Sequence, residues 1–292
     1  MNRRGVLLFL LFLSAILYLS LYPVRPGYPP MATELRWAPL FNRGQWIDFI
    51  LNVAIYIPLG AAAFFALRAK APAIFGATLL CGLISLAVEY AQLSIPWRHG
   101  NLRDLAANTL GALVGALLAF TGRRVRVRPS VALFVILWIA WQGLLLLRRE
   151  WTVTDVSHEL VGLLVLAMVF TRRVSRLAGP LLLVWLAVEE LRPFQFQGPP
   201  GAFSWVPFEG WFLGSPESLF GTLAGKLFLY TAVIWVLHRS GARMFWAFLA
   251  PATILGVGEY AQRYLPGRTP EITDLALLAA GGALLLLTDS DD

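Results

Sequence analysis

The chain has 292 residues, 58% hydrophobic and 14% charged, with a net charge of +7 and a mean hydropathy of +0.67. Soluble domains carry about 25% charged residues, so a water-soluble fold is excluded, and with it a basic domain able to bind nucleic acid. A single cysteine, Cys81, permits no intramolecular disulfide and reads as a small buried apolar residue. The composition is that of an all-α, polytopic membrane protein.

A membrane span needs roughly 20 apolar residues. Ten segments qualify, some of them short: about 5–22, 48–67, 73–95, 104–120, 131–147, 155–171, 177–191, 219–237, 244–264 and 274–288. The first follows Asn2-Arg3-Arg4 and runs into Tyr22-Pro23 without a small-x-small cleavage motif, so it is expected to be retained. The second carries Asp48, Asn52 and Tyr56 at four-residue spacing, then Pro58, which frees backbone carbonyls for neighbouring helices to satisfy. The third ends in Glu89 and Gln92, three residues apart and so on one face. A short loop brings Arg98, and the fourth opens with Asp104 and Asn108, continued by Gly111 and Gly115 at a spacing that lets helices approach closely. The fifth and sixth form a hairpin in which Asp155 opens the second helix, where a carboxylate complements the helix dipole. After the seventh, Gln195–Ser204 is a Gly/Pro-rich loop. The eighth carries Ser218, Thr222 and Lys226, the ninth Glu259 and Gln262, and the tenth opens with Asp274 after a loop containing Arg268.

These elements repeat. Glu89, Gln92, Arg98 and Asp104 read E-x-x-Q-x5-R-x5-D, and Glu259, Gln262, Arg268 and Asp274 read the same pattern 170 residues later. Trp37-Ala38-Pro39-Leu40 likewise resembles Trp205-Val206-Pro207-Phe208. The chain therefore divides into a four-span unit over 1–122, a two-span insert over 123–174 and a second four-span unit over 175–292. An insert with an even number of spans gives both units the same orientation, as parallel repeats. At constant spacing Asp48 maps to Ser218, Asn52 to Thr222, Tyr56 to Lys226 and Asn108 to Leu278. Basic residues favour alternate junctions by thirteen to ten. That bias sets both termini on the cytoplasmic side and both motifs on the outer side. The Arg123, Arg124, Arg126 and Arg128 cluster then meets anionic lipid headgroups.

Ionisable groups in spans face a bundle interior or a wet cavity. Two readings of Asp48, Asn52, Glu89, Gln92, Arg98, Asp104 and Asn108 stand side by side. In one, they staple three helices together through ion pairs and hydrogen bonds. In the other, they line a pocket for a polar headgroup. Arg98 then holds a phosphate or carboxylate, and Glu89 or Asp104 acts as general acid or base. Glu259, Gln262, Arg268 and Asp274 are the matching binding set of the second unit. The histidines, His99, His158 and His238, are scattered and show no zinc spacing. Carboxylates alone can hold a hard cation, but no metal or cofactor is expected.

The combination of Asp48-x3-Asn52, Ile57-Pro58-Leu59-Gly60, Glu89-x-x-Gln92, Arg98 and Asp104-x3-Asn108-Thr109-x-Gly111 resembles the VanZ-like family over about 35–120. The second unit resembles it more loosely. That family is named for a membrane protein linked to resistance against teicoplanin. The resemblance implies a bacterial inner-membrane protein in an envelope context and supplies no substrate. The twice-used polar cluster at outer-leaflet depth is what makes a membrane lipid or lipid-linked glycan, bound or chemically modified there, the expected partner. A lipid or small-molecule transporter, and a non-catalytic scaffold, are the alternatives.

Overall fold

The computed structural model describes residues 2–22, 35–37, 43–95, 100–122, 129–145, 153–171, 173–210 and 216–288. Among these residues ten helices account for the regular structure, with no β-structure beyond two isolated bridges. The chain forms two compact units, Met1–Val127 and Arg128–Asp292. The helices of the two-span insert lie in the second.

The first unit contains α1 (Arg3–Leu21), α2 (Arg43–Ala66), α3 (Pro72–Gln92) and α4 (Leu102–Gly122). Asn2 caps α1, its side chain accepting from the Arg4 N–H at 3.2 Å. The core is built from small residues: Ala63, Ala73, Ala77, Cys81, Ala112 and Ala116 pack around Leu59 and Phe64. Small residues let backbones touch. Gly60 lies against the Ala112 backbone, Gly111 against the Val53 carbonyl and Gly115 against the Ile57 carbonyl. This seam between α2 and α4 brackets Pro58, whose missing N–H leaves the Ala54 carbonyl without its helical donor. On the opposite side of α2, Gly5 of α1 fits against the backbone of Phe65 and Ala66.

The second unit contains α5 (Pro129–Leu145), α6 (Val153–Thr171), α7 (Ala178–Leu191), α8 (Pro216–Arg239), α9 (Met244–Gln262) and α10 (Thr273–Thr288). Its core is aromatic where the first is small. Phe134 of α5 meets Phe228 and Trp235 of α8 edge-on at 5.8 and 5.6 Å, and Trp141 covers Gly225. The insert hairpin thus buries its face on α8, and Gly162 of α6 admits the Trp138 ring.

Helices α1 to α4 and α9 are by themselves long and apolar enough to cross a membrane, and α5, α6 and α10 contain shorter apolar stretches. The outer faces are apolar too: Phe75, Leu83, Leu118, Ile139, Leu181, Val257 and Leu286 are all exposed. So much exposed apolar surface, on helix after helix, is a lipid-facing surface rather than a water-facing one.

Candidate functional site

The E-x-x-Q pair is a fastener, and it is built the same way twice. Glu89 is buried at the end of α3, and its Oε2 accepts from the Asn101 N–H at 2.8 Å. Glu259 is buried at the end of α9, and its Oε2 accepts from the Glu271 N–H at 3.0 Å. Both bonds span twelve residues and close the loop that leads into the next helix. Three residues on, Gln92 donates to the Ser20 carbonyl at 3.1 Å, and Gln262 donates to the Glu190 carbonyl at 3.2 Å. Carbonyls in the last turn of a helix lack intrahelical donors, and the glutamine supplies one. The next backbone N–H in each unit also has a counterpart. Leu102 donates to the Arg36 carbonyl at 3.1 Å and Ile272 to the Ser204 carbonyl at 3.0 Å, beside parallel bridges Arg36 to Asn101 and Ser204 to Glu271. Gly100 is required where it stands, because a Cβ there would meet the Glu89 carbonyl at 2.6 Å.

Inside this frame the first unit carries a polar file. Asp48, Asn52 and Tyr56 follow one another up a face of α2, Ser85 and Glu89 up α3, and Asp104 and Asn108 up α4. Successive members are about 6 Å apart along each axis. Asn108 donates to Ser85 Oγ at 2.9 Å. Arg103, buried, donates from Nε to Asp104 Oδ1 at 3.3 Å. Asn101 caps α4 by accepting from the Arg103 N–H at 3.0 Å. Among the described residues, two buried polar atoms of this file have no hydrogen-bond partner, Arg103 Nη1 and Asn108 Oδ1, while Tyr56 meets Ser85. Such atoms cost about 1–3 kcal/mol each. Arg98 lies outside the described residues.

The second unit holds a different set. Lys226 of α8 donates to Asp274 Oδ1 and Oδ2 at 2.6 and 2.7 Å. Carboxylate oxygens of Glu190, Glu259 and Asp274 all lie within 4.8 Å of one another, and all three residues are buried. Gln262 also donates to Glu190 Oε2 at 2.7 Å. The oxygen-only triad is a donor set that suits a hard cation, and Lys226 brings the chain's own ammonium to it. Arg268 does not join the cluster. It is exposed, and its guanidinium donates to the Glu189 and Arg192 carbonyls at 3.0 to 3.1 Å, capping α7.

The contacts also correct the expected alignment of α8. Gly60 faces Ala112 in the first unit, and Ile234 faces Gly282, the counterpart of Ala112, in the second. This sets α8 one turn later than constant spacing implies. Asp48 then corresponds to Thr222, Asn52 to Lys226 and Tyr56 to Tyr230, rather than to Ser218, Thr222 and Lys226. The two tyrosines agree: both are buried, and Tyr56 faces Ser85 and Glu89 while Tyr230 faces Asp274 and Glu259. The physical reason is a shorter connection between α8 and α9 than between α2 and α3, four residues against five, together with a later start of α9. Leu278, at the place of Asn108, is fully buried and apolar.

Sequence reasoning missed Arg103, Ser85, Glu190 and Glu271. Glu190 was the most accessible of these, since it lies 170 residues after Ser20, the partner of Gln92.

Apolar outer faces around polar interiors, on an all-helical chain, define a polytopic helical membrane protein. Its first unit is VanZ-like: the VanZ/LLP1 family model matches residues 6–123. No curated protein matches the chain, and no solved structure does.

Proposed function

We propose that this VanZ-like protein binds, in the polar file of its first unit, the headgroup of an amphipathic envelope lipid or lipid-linked glycan entering from the outer leaflet. The observation that carries this reading is a pair of buried atoms without a hydrogen-bond partner among the described residues, Arg103 Nη1 and Asn108 Oδ1. They offer a donor and an acceptor. Asp48, Asn52 and Asp104 lie on the same helix faces. Glu89 and Gln92 take part as fasteners of the frame, which supports the staple reading for those two residues alone. Asp104 is then the better placed candidate for any acid–base step, with Arg103 as its immediate partner at 3.3 Å. A role in envelope-antibiotic resistance follows if the bound headgroup belongs to a cell-wall precursor or its carrier. The Arg123 to Arg128 cluster, outside the described residues, would hold anionic lipid at the cytoplasmic face.

The test is native mass spectrometry of the purified chain with its co-purified lipids. Arg103→Gln and Asn108→Leu are each expected to release a lipid that the unaltered chain retains, and Arg103→Gln also lowers the unfolding temperature because it breaks the buried pair with Asp104. Lipid retention that is the same in Arg103→Gln, Asn108→Leu and the unaltered chain would overturn the reading.

A further inference from the structure

At the end of the second unit away from Glu259, two connections carry basic residues. Arg173 and Arg176 precede α7, and Arg239 and Arg243 lie on the turn between α8 and α9; all four are exposed. Contacts at both ends of α7 align these connections. Glu190, late in α7, touches Gly258, late in α9, and Gly179, at the start of α7, meets Ser240 on the turn that leads into α9. The two helices therefore run side by side from the same end, with Arg176 and Arg243 just before their first turns. Both connections are fixed by their own bonds. Ser175 accepts from the Leu177 N–H at 3.2 Å and, through its carbonyl, from the Ala178 N–H at 3.0 Å. The Ala242 N–H donates to the Leu237 carbonyl at 3.1 Å across Gly241, whose φ of +111° admits the turn. Arg239 is held over the Trp235 ring at 5.9 Å.

The described residues of these connections, 173–178 and 238–243, include no acid. Asp289, Asp291 and Asp292 lie outside the described residues, and α10, the helix they follow, packs on α8, α9 and α5. Helices α7 and α9 both begin at this end, so their positive dipole ends add to the charge. Directly beyond the basic residues the surface turns apolar. Leu177, Leu181 and Val184 form one exposed stripe, and Trp246, Leu249 and Val257 form another on α9. Trp246, stacked edge-on with Phe245 at 5.1 Å, is the residue type that sits at headgroup level.

We propose that this end of the second unit holds an anionic phospholipid, its phosphate among Arg173, Arg176 and Arg243 and its acyl chains along the apolar faces of α7 and α9. Guanidinium groups pair with phosphate in a bidentate manner, and clusters of basic residues at a membrane surface select anionic lipids. A choline or ethanolamine head would bring a further cation to three arginines. A free phosphate would leave the apolar stripes unused. This site is separate from the headgroup site of the first unit.

The experiment titrates the full chain in detergent, by native mass spectrometry, with dioleoyl phosphatidylglycerol, dioleoyl phosphatidylcholine and, separately, sn-glycerol 3-phosphate. Phosphatidylglycerol is expected to bind at least fivefold more tightly than phosphatidylcholine. Arg173→Gln, Arg176→Gln and Arg243→Gln together should abolish that preference. Arg3→Gln, Arg4→Gln and Lys70→Gln, which remove the same charge from exposed places in the first unit, should keep it within twofold. Asn108→Leu should also keep it, so the first unit's site and this one fail separately. Equal binding of the two lipids by the unaltered chain overturns the proposal, and that comparison needs no variant. A preference that survives the arginine substitutions, or one lost equally in the charge-matched control, overturns the site. Glycerol phosphate binding as tightly as the lipid overturns the role of the apolar faces.

Discussion

Glu89 and Asp104 are both acids at helix ends, yet their bonds differ in kind. Glu89 accepts from a buried backbone N–H, that of Asn101. Asp104 meets a side chain, that of Arg103. Removing each therefore asks a different question. Glu89→Gln keeps an oxygen for the Asn101 N–H and should leave stability near that of the unaltered chain. Glu89→Ala leaves that N–H buried and unsatisfied and should cost about 1–3 kcal/mol. Thermal unfolding in detergent checks both, and equal losses would show that charge rather than the bond holds the loop. Lys226 is the matching case in the second unit. Lys226→Met leaves Asp274, 2% exposed, without its cation. Breaking a buried pair from one side costs about 3–5 kcal/mol, and partial exposure of the lysine places this pair at the lower end. Adding Asp274→Asn should recover most of the loss, and a double-mutant cycle on unfolding temperature measures the coupling. A loss that persists in the double variant would assign Lys226 a packing role instead.

The seam between α2 and α4 shows what positions these residues. Gly60, Gly111 and Gly115 let two helices meet backbone to backbone, which brings the Asp48, Asn52, Tyr56 face of α2 onto the Asp104, Asn108 face of α4. Gly115→Val places its side chain on the Ile57 carbonyl and should destabilise by about 1–3 kcal/mol or more. Gly122, at the end of the same helix with open space around it, is the control: Gly122→Ala should be neutral or slightly stabilising. Similar unfolding temperatures for the two variants would show that the seam does not need its close approach. The helices themselves were legible in the sequence, because each is a long apolar run broken by charge, proline or glycine. The doubled Glu and Gln were legible as a pattern, and their bonds confirm equivalent geometry at equal spacing. The alignment of α8 was not legible. A shorter turn and a later helix start offset each other, so α9 and α10 keep the spacing of 170 while α8 slips by one turn. Arg103 escaped notice for a related reason: no residue of the repeated pattern marks it, and its counterpart, Thr273, is uncharged.

Each compact unit closes its own bonds. The Glu89 and Gln92 fasteners, the seam of α2 with α4 and the small-residue core all lie within Met1–Val127. The Glu259 and Gln262 fasteners, the Lys226 pair and the aromatic core all lie within Arg128–Asp292. A unit with its own core has what a separate folding domain needs. The shared frame with unlike interiors, a polar file in one and an acid cluster paired with Lys226 in the other, fits a duplication, and on the proposed function the ligand site belongs to the first copy. On that account the first unit is sufficient for binding and the second is not. Residues 1–127, expressed alone, should insert in the membrane, run as a single species in detergent and retain the lipid of the full chain within a fewfold in affinity. Residues 128–292 should fold and retain none of it. Size-exclusion chromatography and native mass spectrometry of the two fragments decide it: that lipid on the second fragment alone would move the site to the Glu190, Glu259 and Asp274 cluster.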